Sequence, residues 1–323
     1  MEANPNYWNT ARGARLEKVV FLNDVSQKEA IEKVCYAEGE VDIVTNVSPA
    51  DAGRINSSPH AKLVAGDAMR VVAGIINREN DLLDDVRVRQ ALNYAIDRER
   101  LVENGLNGYG TISAGLTPSW TRGLSNPLSH YGRDAEKANR LFEEAGWQAS
   151  RRLKLATANE RENLARMVAS DISNALGIGV DVVVFSDAEK LSELRKLAEK
   201  KTAPDWDIFI YNWSGQTTDA PPLELHYHFV GKNGALRAGE PIAEFEKIYD
   251  EFTEQTNILM QAKMAYDIDK FVYDEALALF LCSPQALYAV NREVSFTPYA
   301  TTFELAECEV GKNHWSRRET DSN

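Results

Sequence analysis

Residues 153–213 read LKLATANERENLARMVASDISNALGIGVDVVVFSDAEKLSELRKLAEKKTAPDWDIFIYNW. Three short apolar runs, 153–157, 180–185 and 207–213, are separated by two longer stretches of helical character, 160–176 and 188–200. A β-α-β-α-β order requires each helix to cross over a sheet and return the chain alongside it, which is the signature of a parallel α/β layer. This stretch therefore predicts an α/β lobe.

Toward the N-terminus a similar alternation recurs. KVVFLN at 18–23 reads as a buried strand. Ser26 caps SQKEAIEKVCYAEGE with Glu29 three positions on, a capping-box pattern, and Ile31, Val34 and Cys35 share one face before a stop at Gly39. Strands at 41–44, 61–65 and 71–77 with a short helix at 49–57 predict a partly parallel, covered sheet, a first lobe. From Asp84 the pattern turns helical. DVRVRQALNYAIDRERLVENGL carries Val88, Ala91, Leu92, Ala95 and Ile96 on one face. After a Gly/Ser/Thr/Pro-rich loop at 105–126, Asp134 caps a helix with Ala138, Leu141, Phe142 and Ala145 inward and Gly146 as its stop. The last third reads as a polar loop at 214–240, helices at 242–254 and 258–275, strands at 277–281 and 287–291, and a frayed tail from Gly311.

The chain has 323 residues, a length that favours two lobes over one core. Its 36 Lys+Arg against 49 Asp+Glu give −13, which disfavours unspecific binding to nucleic acid. The longest clean apolar run, from Ala276 to Cys282, is too short to span a bilayer as a helix. Cys35, Cys282 and Cys308 are widely spaced, as scattered buried thiols are. The first residues lack a basic stretch followed by an apolar one, so this chain shows no secretion signal. There is no phosphate-binding GxxxxGK[ST], no HExxH and no GxSxG, and Gly177-Ile178-Gly179 and Gly108-Tyr109-Gly110 each lack the third glycine of a dinucleotide loop. His226 and His228 would share a face if that stretch were a strand, but no third metal ligand is nearby. Asp84/Asp85 and Glu143/Glu144 read as helix starts and solvated faces. No catalytic constellation and no resident cofactor or metal is expected. Tyr109, Trp120, Tyr211, Trp213, Tyr227 and Phe229 gather in or beside the two long loops, where aromatics either line a cleft or plug a loop onto the core.

Five segments, in order, resemble the family 5 extracellular solute-binding proteins of ABC importers, the dipeptide, oligopeptide and nickel type. Asn4-Pro5-Asn6-Tyr7-Trp8 is similar to the family's NPxYW, and Glu38 to Ile43 to its GEVDI element. Asp85-Val86-Arg87-Val88-Arg89-Gln90-Ala91-Leu92-Asn93-Tyr94-Ala95-Ile96-Asp97-Arg98 is close to DVRVRQALxYAIDR. Tyr131 to Gly146 resembles YxxDxxKAxxLLxEAG, and Asp207 to Trp213 with Asp219 and Pro221 resembles DxxxxxWxxDxxDP.

The resemblance implies an α/β, two-lobe, periplasmic-binding-protein-like fold (type II, cluster C) that grips a small polar solute, a peptide, sugar or related molecule, without chemistry and hands it to an ABC permease. Family members are longer, so the chain resembles their C-terminal portion with lobe I largely missing. It divides as 1–77 for the remainder of lobe I, 78–288 for lobe II and 289–323 for the return to lobe I. By the resemblance, Trp213 stacks on the ligand, Asn212, Gln216 and Asp219 contact it, and Tyr109 and Trp120 line the opposite wall. The family's peptide binders carry an Asp three residues after the Trp. Gln216 stands there in this chain and offers no charge to an amine, which favours a neutral polyol, sugar or amide. Location is then periplasmic or extracellular. The alternative is the cytoplasmic ligand-sensing domain of a regulator built on the same fold.

Overall fold

The computed structural model describes residues 1–9, 11, 13–36, 40–118, 128–147, 151–200, 202–214 and 223–318. The chain forms two compact units, Met1–Ala68 with Gln285–Asn323, and Met69–Pro284.

In the first unit α1 (Gln27–Tyr36) starts where the Ser26 hydroxyl accepts from the Glu29 amide at 3.3 Å, and it buries Ile31, Val34 and Cys35 as its periodicity predicts. β1 (Ile43–Val44), α2 (Ala52–Asn56) and β2 (Ala61–Gly66) follow.

The second unit begins with β3 (Arg70–Ile76), then α3 (Asp81–Asp84) and α4 (Val86–Ala95), which is capped by Asp85 accepting from the Arg87 amide at 2.8 Å. After α5 (Arg98–Arg100) and β4 (Gly110–Ile112), α6 (Ala135–Glu144) runs from its Asp134 cap to Gly146, whose φ of 75° is open to glycine at little cost. Then come β5 (Leu153–Ala158), α7 (Glu162–Leu176), β6 (Val180–Phe185), α8 (Asp187–Glu199) and β7 (Ile208–Ser214). α9 (Leu223–Val230), α10 (Ala243–Glu254), α11 (Ile258–Asp274) and β8 (Ala278–Pro284) complete the unit. β9 (Ala286–Asn291), β10 (Val294–Ser295) and β11 (Glu309–Val310) belong to the first unit again.

The second unit is a three-layer α/β body. Its six-stranded sheet has the order β4-β8-β3-β7-β5-β6, with β7, β5 and β6 parallel and the other neighbours antiparallel. α4, α6 and α7 cover one face through Val88, Leu92, Phe142, Leu164 and Val168. α8 to α11 cover the other through Leu197, Phe229, Phe245 and Ile268. Burial on both faces keeps β8 buried along its whole length and apolar through Cys282, and each fully buried Leu or Phe contributes about 1.5–3 kcal/mol.

Several sequence expectations are corrected. The first unit's sheet, β1-β9-β2, is antiparallel throughout its described pairs, because β9, arriving from far along the chain, lies between the two local strands. KVVFLN is not a buried strand. Only Lys18 forms a bridge, to Glu2, while Val20, Phe21 and Leu22 are exposed, since no described strand lies beside them. The expected boundary at 77 falls inside the second unit, where 70–76 is a central strand of the sheet; the chain passes between units at 68–69 and 284–285. The polar loop at 214–240 contains α9. The tail is fastened as far as Arg318: Asp42 Oδ1 accepts from His314 Nε2, Trp315 Nε1 and Asn291 Nδ2, each at 3.0 Å.

The periodic stretch beginning at Val86 does not continue as one helix. It breaks at Ile96, which is extended, and Asp97 caps the next turn. The cause is Arg98, fully buried, whose guanidinium donates to the carbonyls of Phe280 (2.7 Å), Asn93 (2.8 Å) and Tyr131 (2.9 Å) and to Asn93 Oδ1 (2.8 Å).

Two outcomes follow. Arg98→Ala leaves those carbonyls unpaired in the core and is expected to lower stability by about 3 kcal/mol or more, with Arg98→Lys intermediate, read as a urea midpoint shift. A shift worth less than about 1 kcal/mol contradicts this. Asp42→Ala is expected to release the tail, so that trypsin cuts at Arg317 and Arg318 several-fold faster; an unchanged cleavage rate contradicts the clamp.

Candidate functional site

β5 and β7 are adjacent parallel strands, with Leu155 opposite Ile208 and Thr157 opposite Ile210. From β5 the chain leads to α7 on one face of the sheet. From β7 it leads to α9 on the other. Where neighbouring parallel strands send their chains to opposite faces, a crevice opens outside their carboxyl ends, and α/β proteins place ligands there.

Two side chains meet in that crevice. Arg161, in the turn after β5, donates Nη2 to Asn212 Oδ1 at 2.9 Å across to β7. The Arg161 guanidinium is largely buried, and burial, helped by the neighbouring Arg70, holds it below the usual arginine range. Its Nε is buried without a hydrogen-bond partner, and no carboxylate forms an ion pair with it among the described residues. Asn212 lies in register with Val72, and Val72 with Cys282, so it stands beside β3, one of the two central strands, near one end of the sheet. Burial pushes the Cys282 thiol up to about 12, which makes it an inert wall.

The rim is polar. Glu160 pairs with Lys190 of α8 at 2.5 Å. Tyr211 is half-buried, its phenol raised by burial and lowered by Lys190. Trp213, one residue beyond Asn212, projects to the opposite face. Its ring packs on His228 of α9, centroids 5.0 Å apart and planes at 41°. His228 Nε2 lies 3.6 Å from Glu224, and its Nδ1 is a second buried nitrogen with no partner among the described residues.

Tyr109 directly precedes β4, whose Gly110 is in register with Pro284. Following the strand directions, Tyr109, Arg70, Arg161, Asn212 and Trp213 all lie at one end of the sheet. Tyr109 is three strands from Asn212, about 14 Å at ordinary strand spacing. Of the residues expected from sequence, Asn212, Trp213 and Tyr109 are thus placed at this end. Gln216, Asp219 and Trp120 lie outside the described residues.

Other expectations change. His226 and His228 sit on a helix, where two positions diverge by about 200°. His226 turns into the core, His228 toward Trp213. Phe229 is a core residue and Tyr227 packs on Tyr249 at 4.7 Å, so both plug α9 onto the body. Gly177, with φ of 65°, ends α7, which is turn chemistry. Among the described residues no three His, Cys, Asp or Glu side chains are grouped to hold a metal, and no helix is long and apolar enough to cross a membrane.

Arg161 was missed by sequence reasoning. The available signal was its position, a cation in the turn that ends a parallel strand beside the strand carrying the Trp. α9 was also legible, since Leu225, Phe229 and Val230 fall at i, i+4 and i+5.

The family model for bacterial extracellular solute-binding proteins, family 5 Middle, matches residues 1–234. The heme-binding protein A of Haemophilus influenzae is 24% identical over 285 residues, 85% of this chain and 49% of that protein. The dipeptide-binding protein of Escherichia coli is 22% identical over 308 residues, 91% of this chain and 54% of that protein. The chain spans about half the length of these curated relatives. The crystal structure of the ABC transporter substrate-binding protein CtaP from Listeria monocytogenes superposes with a TM-score of 0.81 at 18% identity, covering 92% of this chain and 61% of that one, which shows the shared fold. With the family match reaching across 234 of 323 residues and the fold agreeing, the chain belongs to the bacterial extracellular solute-binding proteins of family 5.

Proposed function

We propose that the chain is a solute-binding component of an ABC importer, working on the periplasmic or extracellular side, and that it takes a small carboxylate-bearing solute, a short peptide foremost, without transforming it. One observation carries the ligand class: Arg161 is a buried guanidinium with one described side-chain partner, a neutral amide, and an orphaned Nε. A charge withdrawn from water without a counter-charge costs several kcal/mol, and an incoming carboxylate, accepting two parallel N–H bonds, removes that cost. A dipeptide ends in a carboxylate and heme carries two propionates, so the ligands named for the two relatives share this group. Trp213, next in sequence to Asn212 but on the other face of β7, offers a flat apolar surface at the same end of the sheet, and Asn212 accepts from the guanidinium and holds it in place. Gln216, Asp219, Tyr109 and Trp120 remain proposed ligand contacts on the strength of the family resemblance. The preference for a neutral ligand came from Gln216 alone; Arg161 moves the reading to an anionic end group, with the amine end finding no charge at Gln216.

Isothermal titration with Ala-Ala and with its C-terminal amide tests this. The free acid is expected to bind and the amide to bind roughly 10- to 100-fold more weakly, the worth of a charge-assisted pair. Arg161→Gln is expected to erase the difference between the two. Equal affinity of the wild-type chain for acid and amide, or tighter binding of an uncharged sugar than of any peptide, overturns the ligand class.

A further inference from the structure

We infer that Asp269 is a positioning residue for the proposed site, setting Trp213 through His226 and α9; the inference rests on that site being where solute binds. Asp269 lies on α11 with 6% of its side chain exposed, and His226, with 0%, places Nε2 at 2.6 Å from Asp269 Oδ1. A carboxylate only accepts, which puts the hydrogen on Nε2 of the imidazole. The same oxygen faces Thr117 Oγ1 at 3.4 Å. The backbone at Gly115 comes so close that a Cβ there would stand 2.8 Å from Oδ1.

One core carboxylate therefore fastens two separate pieces of chain. The first is the stretch 115–117 beyond β4. The second is α9, which follows the 215–222 segment carrying Gln216 and Asp219. α9 also brings His228, two residues past His226, onto the Trp213 ring. Trp213 neighbours Asn212, and Asn212 holds Arg161. The order of control is thus Asp269, His226, α9, His228, Trp213.

Packing alone does not explain the arrangement. α9 already docks through Leu225, Phe229 and Val230, and an apolar side chain at 269 would fill the core at no electrostatic cost. Asp269 forms no ion pair with Lys or Arg among the described residues. What a hydrogen-bonded carboxylate adds over an apolar residue is direction: it fixes the rotation of α9 about its axis, and that rotation decides where His228 meets Trp213.

The test uses four variants of the full chain. Asp269→Ala and His226→Ala break the link. Asp269→Asn keeps the acceptor, and His226→Gln keeps a donor near the position of Nε2. The readouts are the indole N–H resonance of Trp213, assigned with Trp213→Phe, and amide exchange over 227–230 against that of α7. Both alanine variants are expected to shift the indole resonance and speed exchange in α9 by tenfold or more while α7 keeps its protection, and both conservative variants are expected to restore wild-type values. Ala-Ala affinity is expected to fall about tenfold in the alanine variants only. If either alanine variant leaves the indole and α9 exchange as in wild type, or if α7 loosens equally, the positioning role is overturned. Should Asp269→Ala fail to fold, the contrast between His226→Ala and His226→Gln decides alone. A wild-type chain that takes up no Ala-Ala, yet shows the indole shift and its rescue, supports the positioning of Trp213 and counts against the ligand class only.

Discussion

The second unit is organised around a cation that has no anion among the described residues. Arg98 sits at zero exposure and is neutralised by dipoles: the main-chain carbonyls of Phe280, Asn93, Ile96 and Tyr131 and the amide oxygen of Asn93. Burial brings its guanidinium down to about 10, which leaves it charged at any physiological pH. Asn93 extends the arrangement, donating to the Ala278 carbonyl at 3.0 Å and accepting from the Phe280 amide at 3.1 Å. α4 and β8 are thereby joined by directed bonds as well as by apolar contact. Since β8 lies between β4 and β3, the register of the sheet's centre is tied to a helix outside it. Arg89, nine residues earlier, also donates to main-chain carbonyls, those of Glu275, Leu83 and Asp84, but has an anion as well, the Glu275 carboxylate at 3.8 Å; burial holds it near 10.

This explains why the most recognisable stretch of the chain reads RQALNYAIDR. Positions 91, 95 and 98 continue one helical stripe, so Arg98 would point inward even without the break at Ile96. An arginine on an apolar stripe is costly unless its donors are spent, and forking to several carbonyls spends them without the geometric demands of a carboxylate partner. Ending α4 at Ala95 frees the carbonyls that accept it. The frame so held presents the carboxyl ends of β5 and β7, where Arg161 is the opposite case, a guanidinium with donors left over.

What could be read from the residues divides along the same line. The β5-α7-β6-α8-β7 run was legible because each element is defined by local periodicity and the crossovers follow from parallel pairing. The caps at Ser26 and Asp134 were legible because a capping side chain acts on amides two or three residues away. β9 lying between β1 and β2 was not, because pairing partners more than two hundred residues apart leave no mark on either strand. The 18–23 stretch shows the limit of apolar content: it says what would gain by burial, not whether a partner strand is present. The fastening of residues 311–318 by Asp42 is again long-range. At the site, Asn212 and Trp213 could be named from the strand that carries them. Arg161 could not be distinguished from any other surface arginine until β5 and β7 were known to be neighbours.

Charge on the whole chain and charge at the crevice point in opposite directions, and distance decides between them. The net −13 is spread over a large surface, and at physiological ionic strength each of those charges is screened beyond about 8 Å. A carboxylate at contact distance from Arg161 experiences something different: at 4 Å and an effective dielectric near 20, a single opposite charge is worth about 4 kcal/mol. Lys190 and Arg70 add to the same local sign, offset in part by Glu160. An acidic protein can therefore hold an anionic end group in such a crevice, provided the ligand is small enough to present one carboxylate to the guanidinium and keep the rest of its surface neutral. A polyanion tracking across the exterior would meet the net charge in full, which is why the composition disfavours unspecific nucleic-acid binding yet is compatible with a peptide terminus.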